Sequence, residues 1–221
     1  NSVNPAAVFF CAFQKILPKA ERDHVELTRL QMGLHDENFS YPLEPEESFV
    51  APEVVMSCST SGLARLSQNL HDCFRSHLCR GKYKDAPRPI LVNSWESCYF
   101  DFDGETIYKL AQDAADLGID MVVMDDGWFG KRNSDCTSLG DWVVNEEKLG
   151  MPLGKLIERI NGLGVKFGIW IEPEGVSEDS DLYREHPDWA YVIPCRNPER
   201  SRSQLVLDFS RKEVVDAMFE K

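Results

Sequence analysis

Apolar residues follow one pattern before about residue 80 and a different pattern after it. Segments 8–14, 25–32 and 48–58 are rich in Val, Phe, Leu and Thr, and prolines and acidic clusters separate them. These features predict an antiparallel, β-rich region. A helix is predicted to close this region, because five apolar residues recur at helical spacing: Leu63, Leu66, Leu70, Phe74 and Leu78.

Beyond a basic, proline-containing segment at 80–89, short apolar runs alternate with amphipathic stretches. We predict buried strands at 89–95 and 119–124, a strand at 165–171 and a further short strand at 204–209. This alternation is typical of a parallel β/α architecture, and the polar segment is interpreted as a linker. Three or four strands of a barrel are therefore present, whereas a closed (β/α)8 barrel needs eight.

The helices predicted between these strands have recognisable ends. Asp103 is placed to cap the first helix and Gly118 to end it, while Pro152 opens the second and Gly164 ends it. A third helix is predicted to start with a capping box at 210–213. The predicted apolar positions are Ile107, Leu110, Ala111, Ala114 and Leu117 in the first helix, and Leu153, Leu156, Ile157, Ile160 and Leu163 in the second.

The predicted strand at 119–124 runs directly into Asp125, Asp126 and Gly127. Because side chains alternate along a strand, both acids can face one way only if the chain bends, and glycine permits that bend. In β/α barrels the chemistry lies at the carboxyl ends of the strands. Asp125 and Asp126 are therefore candidate site residues, and the alternative is that Asp-Asp-Gly forms an ordinary solvated turn.

Three tryptophans, Trp95, Trp128 and Trp170, each lie at or just beyond the end of a different predicted strand. A barrel would bring them into one pocket, although any one of them alone is more commonly a core residue. A sugar favours this mixture, because aromatic faces stack on its C–H surface while carboxylates accept hydrogen bonds from its hydroxyls. The long segment 127–151 is interpreted as a binding lip.

Charge and composition exclude several other functions. The 37 acidic and 24 basic residues give a net charge of −13, which disfavours nucleic acid and anionic membranes as partners. Seven scattered cysteines without a CxxC pair favour a reducing compartment, so we expect a cytoplasmic protein. The first residue is Asn1 rather than Met, which is compatible with a start inside a longer polypeptide that has a leader of its own.

Neither a metal nor a cofactor is predicted. The acids between 172 and 181 lack the spacing of a calcium-binding loop, and a solvated acidic lip is the favoured interpretation. The five histidines show no metal-pair spacing.

Several blocks of the sequence, in order, resemble family 36 of the glycoside hydrolases, the bacterial α-galactosidases. They include Asn-Ser-Trp-Glu at 93–96, Met-Asp-Asp-Gly-Trp-Phe-Gly-Lys-Arg at 124–132 and Phe-Gly-Ile-Trp-Ile-Glu-Pro-Glu at 167–174. Further blocks lie at 43–49, 78–82, 138–142, 179–189 and 204–210.

The resemblance implies a fold and an activity. Residues 1–79 would be the C-terminal part of a β-sandwich domain with a closing helix, 80–88 a linker, and 89–221 the first half of a (β/α)8 TIM barrel. The implied activity is hydrolysis of terminal α-linked galactose, with retention of configuration, from oligosaccharides such as melibiose and raffinose. Family members commonly form tetramers, so a homo-oligomer is expected.

Site residues follow from the matching motifs. Asp125 and Asp126 are expected to bind galactose hydroxyls, Trp95 and Trp170 to form pocket walls, and Arg202 to bind a further hydroxyl. The family usually has Asn after that arginine, whereas this chain has Ser203, which affects the expected local geometry of Arg202.

The family's nucleophile lies in a Lys-Trp-Asp motif that this sequence lacks, and its acid/base aspartate comes later still. Both are expected beyond Lys221, so no catalytic residue is assigned and residues 1–221 alone are expected to be inactive. Two alternatives remain open at this point. One is a non-catalytic galactose-recognising or interaction protein, and the other is a galactosyl-transferring enzyme similar to raffinose synthases.

Overall fold

The structure is a computed structural model, and it describes residues 6–11, 16–22, 24–34, 40–51, 53–198 and 200–221. The chain divides after Pro87 into two compact units. Each unit is described by itself below. No helix among the described residues is long and apolar enough to cross a membrane.

The first unit contains two antiparallel strand pairs and a helix. Strand β1 (Ala6–Cys11) pairs with β4 (Val54–Ser59), and β2 (Ile16–Arg22) pairs with β3 (Thr28–Leu34). Helix α1 (Gly62–Cys73) continues into a π-helical turn at Phe74–Leu78. The antiparallel pairing and the closing helix agree with the prediction, although β2 lies between two of the predicted segments. Residues 12–14 of the first predicted segment lie outside the described residues.

Only part of the apolar face predicted for α1 is buried. Leu66 and Leu70 are buried, whereas Leu63 and Leu78 are exposed. Leu63 lies in the first turn, and the π-helical turn rotates Leu78 away from the stripe, because it has more residues per turn than an α-helix.

The second unit is built on a parallel sheet in which β6 (Met121–Met124) lies between β5 (Leu91–Asn93) and β7 (Lys166–Ile169). These strands match three of the predicted strands. The central strand is the most buried, and Val122 and Met124 are fully enclosed. The strand at 89–95 was predicted to be buried, but Leu91 is 52% exposed, and Ile169 on β7 is 38% exposed. The reason is that, among the described residues, each outer strand pairs only with β6.

Helices α3 (Gly104–Asp116) and α5 (Leu153–Gly162) follow β5 and β6 along the chain. Asp103 caps α3 as predicted, because its carboxylate accepts from Thr106 N at 2.8 Å. The buried apolar positions of the two helices are Ile107, Ala111, Ala114, Leu156 and Ile160. Leu117 was predicted on the same face but is 77% exposed, since it lies at the C-cap, beyond the last helical turn.

The last predicted strand is not a further parallel strand of the sheet. Strand β9 (Gln204–Val206) pairs antiparallel with β8 (Gly175–Ser177), a strand that the sequence analysis did not predict. Three short helices complete the unit: α2 (Trp95–Cys98), α4 (Glu146–Leu149) and α6 (Asp181–Glu185), with a 3-10 turn at Pro187–Trp189.

The final helix, α7 (Lys212–Phe219), forms without the predicted capping box. Its N-cap is Arg211, which makes no side-chain cap hydrogen bond. Ser210 instead donates its backbone N–H and its hydroxyl to Asp208 Oδ1, at 3.1 and 2.6 Å. The Ser210 hydroxyl therefore bonds to the Asp208 carboxylate instead of capping α7.

Candidate active site

A cavity of about 610 Å³ lies at the carboxyl ends of β5, β6 and β7. Because parallel strands end at the same edge of a sheet, residues far apart in sequence meet there. Four of the predicted site residues line this cavity, namely Trp95, Asp125, Trp170 and Arg202. The other lining residues are Asn93, Glu96, Ile171, Glu172 and Glu174.

Asp125 is held in place on both carboxylate oxygens. Its Oδ1 accepts from the backbone N–H of Asp126 at 2.8 Å, and Asn93 Nδ2 donates to its Oδ2. The backbone N–H of Asp125 donates to Ser94 Oγ at 3.0 Å. The carboxylate therefore faces the cavity in an orientation fixed by the end of the neighbouring strand.

Asn93 was missed as a functional residue by the sequence analysis. Its Oδ1 accepts from Trp95 N at 2.7 Å, while its amide group holds Asp125. The Asn93 side chain thus positions both the carboxylate of Asp125 and the first residue of α2, Trp95, whose ring lines the cavity. Its position as the last residue of β5 could have identified Asn93 as a site residue, because the carboxyl ends of the strands meet at the site.

Asp126 lies beside the cavity but is not among the residues that line it. It is 2% exposed and is bound by the guanidinium of Arg132, with Nε at 3.0 and 3.1 Å and Nη2 at 2.7 Å from its oxygens. Arg132 is also buried, and its Nη1 donates to Thr137 O at 2.9 Å. Sugar binding by Asp126 stays a prediction, whereas its partnership with Arg132 was not foreseen.

Gly127 makes the bend that was predicted after the two aspartates. Its φ is +106°, and a Cβ there would lie 3.1 Å from the Phe100 ring and 3.2 Å from Lys148 Nζ. Lys148 Nζ also lies 4.6 Å from the centre of the Phe102 ring. Burial lowers the pKa of Lys148, and the nearby charge of Asp126 opposes that shift. The turn is therefore packed tightly against aromatic and cationic groups.

The aromatic residues divide into two sets. Trp95 and Trp170 line the cavity, as predicted. Trp128, which was expected to join them, is instead 6% exposed, and its Nε1 donates to Trp170 O at 2.9 Å. Trp142 is also buried, with its ring centre 6.2 Å from that of Trp170. The indoles of Trp128 and Trp142 are therefore core residues that pack against Trp170, and this arrangement buries their large apolar surface.

The segment 127–151 was interpreted as a binding lip, and its most distinctive residues have structural roles instead. The carboxylate of Asp141 accepts from the backbone N–H groups of Asp181 and Leu182, at 3.1 and 3.0 Å. It therefore satisfies backbone donors at the start of α6. None of the residues lining the cavity comes from this segment.

Arg202 reaches the cavity with Ser203 as its neighbour. Both residues have left-handed backbones, with φ of +49° and +60°. Arg202 Nη2 donates to Glu172 Oε2 at 2.8 Å. Asparagine adopts this conformation more readily than serine, so the family's Asn would be less strained at this position.

Most of the acids between 172 and 181 pair with arginines. Glu178 pairs with Arg200 at 3.0 Å, and Arg184 pairs with both Asp179 and Asp181. Hydrogen bonding from Arg184 lowers the pKa of Asp181. In the part of the chain that the structure describes, no group of three His, Cys, Asp or Glu residues is arranged to hold a metal ion.

A parallel β/α sheet with acidic and aromatic side chains at its carboxyl edge has the groups that suit binding of a sugar. Residues 48–221 match the family model described as Melibiase. The chain belongs to this family.

The individual relatives are α-galactosidases by name. The chain is 61% identical over 203 residues to the bifunctional alpha-galactosidase/sucrose kinase AgaSK of Mediterraneibacter gnavus. This match covers 92% of this chain and 22% of that protein. It is 49% identical over 204 residues to alpha-galactosidase AgaA of Geobacillus stearothermophilus, covering 92% and 28%. The chain therefore spans about a quarter of the length of these relatives.

A solved structure gives the same result for the fold. The GH36 alpha-galactosidase AgaB of Geobacillus stearothermophilus has a TM-score of 0.89 and 46% identity, and the match covers 98% of this chain and 30% of that one. A structure of an AgaA variant in complex with raffinose matches with a TM-score of 0.90.

Proposed function

We propose that the protein containing this chain is a retaining α-galactosidase that removes terminal α-linked galactose from oligosaccharides such as melibiose and raffinose. This chain would supply the galactose-binding side of the active site. The observation that carries the proposal is the convergence of Asp125, Trp95, Trp170 and Arg202 on one cavity. The AgaA variant solved with raffinose, a related chain, supports the class of substrate.

Each of these residues has a part in binding. Asp125 accepts hydrogen bonds from two neighbouring galactose hydroxyls, since its carboxylate is fixed and faces the cavity. Trp95 and Trp170 stack against the apolar C–H surface of the ring. Arg202 donates to a further hydroxyl. Asp126 lies behind Asp125, and a sugar hydroxyl would have to share it with Arg132.

The catalytic pair is assigned to the part of the relatives' length that this chain does not span. A retaining enzyme needs two carboxyl groups about 5–5.5 Å apart, one as nucleophile and one as acid/base. Among the carboxylates lining the cavity, Asp125 is bound by Asn93 and Glu172 by Arg202. Those partners suit carboxylates that bind and position a sugar.

For the whole architecture we propose a β-sandwich domain ending at about residue 79, a linker at 80–88 and a (β/α)8 barrel that begins at 89. Parallel pairing of β5, β6 and β7, with α3 and α5 between them in sequence, supports the barrel. A homotetramer in the cytoplasm is the proposed assembly and location, and light scattering on the purified native protein tests the assembly.

The test of the function is turnover of a chromogenic α-galactoside by the native gene product that contains these residues. Asp125→Asn is expected to lower kcat/KM at least about tenfold, because it removes a charge-assisted hydrogen bond of about 1.5–3 kcal/mol. Asp113→Asn, an identical change on the exposed side of α3, should leave kcat/KM unchanged.

Several outcomes would contradict the proposal. If the native protein does not hydrolyse α-galactosides, the proposed function is wrong. If Asp125→Asn keeps the native kcat/KM while folded, the cavity is not the sugar site. Product analysis with sucrose as acceptor separates hydrolysis from galactosyl transfer.

A further inference from the structure

A chain of alternating charges connects the Asp126 turn with Arg202 at the cavity. Arg132 Nη2 lies 2.7 Å from Asp126 Oδ2 and 3.9 Å from Asp135 Oδ1. The same oxygen of Asp135 lies 4.0 Å from Arg202 Nη1. Arg202 in turn pairs with Glu172 at 2.8 Å. Asp135 is thus the link between the buried ion pair and an arginine of the cavity.

The environment of Asp135 is unusual for a carboxylate that does not line the cavity. Its side chain is 45% exposed, but its Oδ1 is shielded from solvent and accepts no hydrogen bond from the described residues. Two guanidinium groups approach this oxygen within ion-pair range but beyond hydrogen-bond distance. A shielded carboxylate oxygen is costly without such compensation, so the two cations are its counter-charges.

The two arginines differ in how firmly they are held. Arg132 is fixed by Asp126 and by Thr137 O, to which its Nη1 donates at 2.9 Å. Arg202 has a side chain that is 48% exposed and stands on a left-handed turn. The Asp135 carboxylate therefore lies between Arg132, which is firmly held, and Arg202, which is less constrained.

We propose that Asp135 is a positioning residue for sugar binding, which fixes the guanidinium of Arg202 over the cavity by pairing with Nη1 while Glu172 pairs with Nη2. It acts through Arg202 and does not itself touch the sugar. The proposal rests on the proposed function, because it takes Arg202 as a ligand of a galactose hydroxyl. Without Asp135, Nη1 of Arg202 would lose its carboxylate partner, and among the described residues the guanidinium would be held by Glu172 alone, through Nη2.

The test is a double-mutant cycle on the native gene product. Asp135→Asn is expected to lower kcat/KM for an α-galactoside about fivefold, mainly by raising KM, since the change weakens binding by Arg202. In an Arg202→Met background the same substitution should change kcat/KM by less than about twofold. Asp135→Glu, which keeps the charge, should retain more activity than Asp135→Asn.

Asp179→Asn is the matched control, because Asp179 is an exposed carboxylate that pairs with a different arginine, Arg184. It should leave KM unchanged. Thermal unfolding of each variant shows whether it is folded, and Asp135→Ser replaces Asp135→Asn in the cycle if the latter does not fold.

The outcomes separate this inference from the proposed function. An equal loss in both backgrounds would overturn it, since Asp135 would then act independently of Arg202. The inference alone fails if Arg202→Met lowers kcat/KM while Asp135→Asn does not. Absence of α-galactosidase activity in the native protein overturns the proposed function and, with it, the role assigned to Asp135.

Discussion

At the scale of single residues, Asp126 and Arg132 form a buried ion pair in the second unit. Both side chains are almost fully shielded, at 3% and 0% exposure. Replacing Arg132 by Met leaves a buried carboxylate without its counter-charge, which costs about 3–5 kcal/mol. We expect Arg132→Met to lower the free energy of unfolding by that amount, as measured by urea denaturation.

Two further variants check this explanation. Arg184→Met removes an arginine from an exposed pair and should change the free energy of unfolding far less. Combining Asp126→Asn with Arg132→Met should recover part of the loss, because the buried side chain at position 126 then carries no charge. A single Arg132→Met variant as stable as the native protein would contradict a buried, ionised pair.

Residue identity predicted part of the site. The two aspartates and three tryptophans were singled out because strand ends meet at one edge. Of these, Asp125, Trp95 and Trp170 line the cavity. Local sequence could not distinguish Trp128 from Trp170, since both follow a strand and the choice depends on which face of the bend packs inward. The Asp126–Arg132 ion pair could not be predicted from local sequence either, because it depends on how the segment after Gly127 folds back toward Asp126.

At the scale of elements, the cap of α3 supplies a prediction with a defined pH dependence. Asp103 Oδ1 accepts from Thr106 N and Thr106 Oγ1, both at 2.8 Å, and these bonds lower the pKa of Asp103. Because the folded pKa lies below the unfolded one, the stabilisation is present above the unfolded pKa and is lost as pH falls through the folded pKa. We expect Asp103→Ala to destabilise the protein by about 1 kcal/mol at neutral pH.

The Asp103→Asn variant distinguishes the contribution of the capping hydrogen bonds from the contribution of the negative charge of Asp103. Asparagine is about as good an N-cap as aspartate, so stability at neutral pH should be nearly unchanged. The difference between the native protein and Asp103→Ala should begin to shrink as the pH falls below the unfolded-state pKa of about 4, and the contribution of the charge should be lost once the pH is below the lowered folded pKa. The difference between Asp103→Asn and Asp103→Ala should persist there. Parallel pH dependence in both comparisons would show that the charge of Asp103 does not contribute.

Elements with strong local patterns were predicted more successfully than those that depend on distant partners. Helices α3 and α5 were found because their apolar positions repeat with the helical period and glycines follow them. Strand β8 has only three residues and no alternation, and its partner β9 lies about 30 positions further along. Its antiparallel pairing, which removed β9 from the parallel sheet, was therefore beyond local patterns.

At the scale of the whole molecule, the parallel sheet has exposed outer strands. Among the described residues β5 and β7 pair only with β6, which leaves one edge of each without a strand partner. Leu91 on β5, Ile169 on β7 and Ile171 just beyond it are 52%, 38% and 49% exposed. Unpaired strand edges with apolar side chains are sites of association, because another chain can add a strand there. This arrangement determines how residues 1–221 should behave when they are produced alone.

We expect purified residues 1–221 to self-associate, so that light scattering gives a mass above the 25.2 kDa of one chain. Leu91→Lys and Ile169→Lys, one on each outer strand, should reduce this association, because lysine on an edge opposes pairing. Leu117→Lys is the matched control, since Leu117 is 77% exposed and lies at the end of α3 rather than on an outer strand. Association that persists in both edge variants, or falls equally in the control, would assign the contact to another surface. A stable monomer would show that the outer strands are protected in solution.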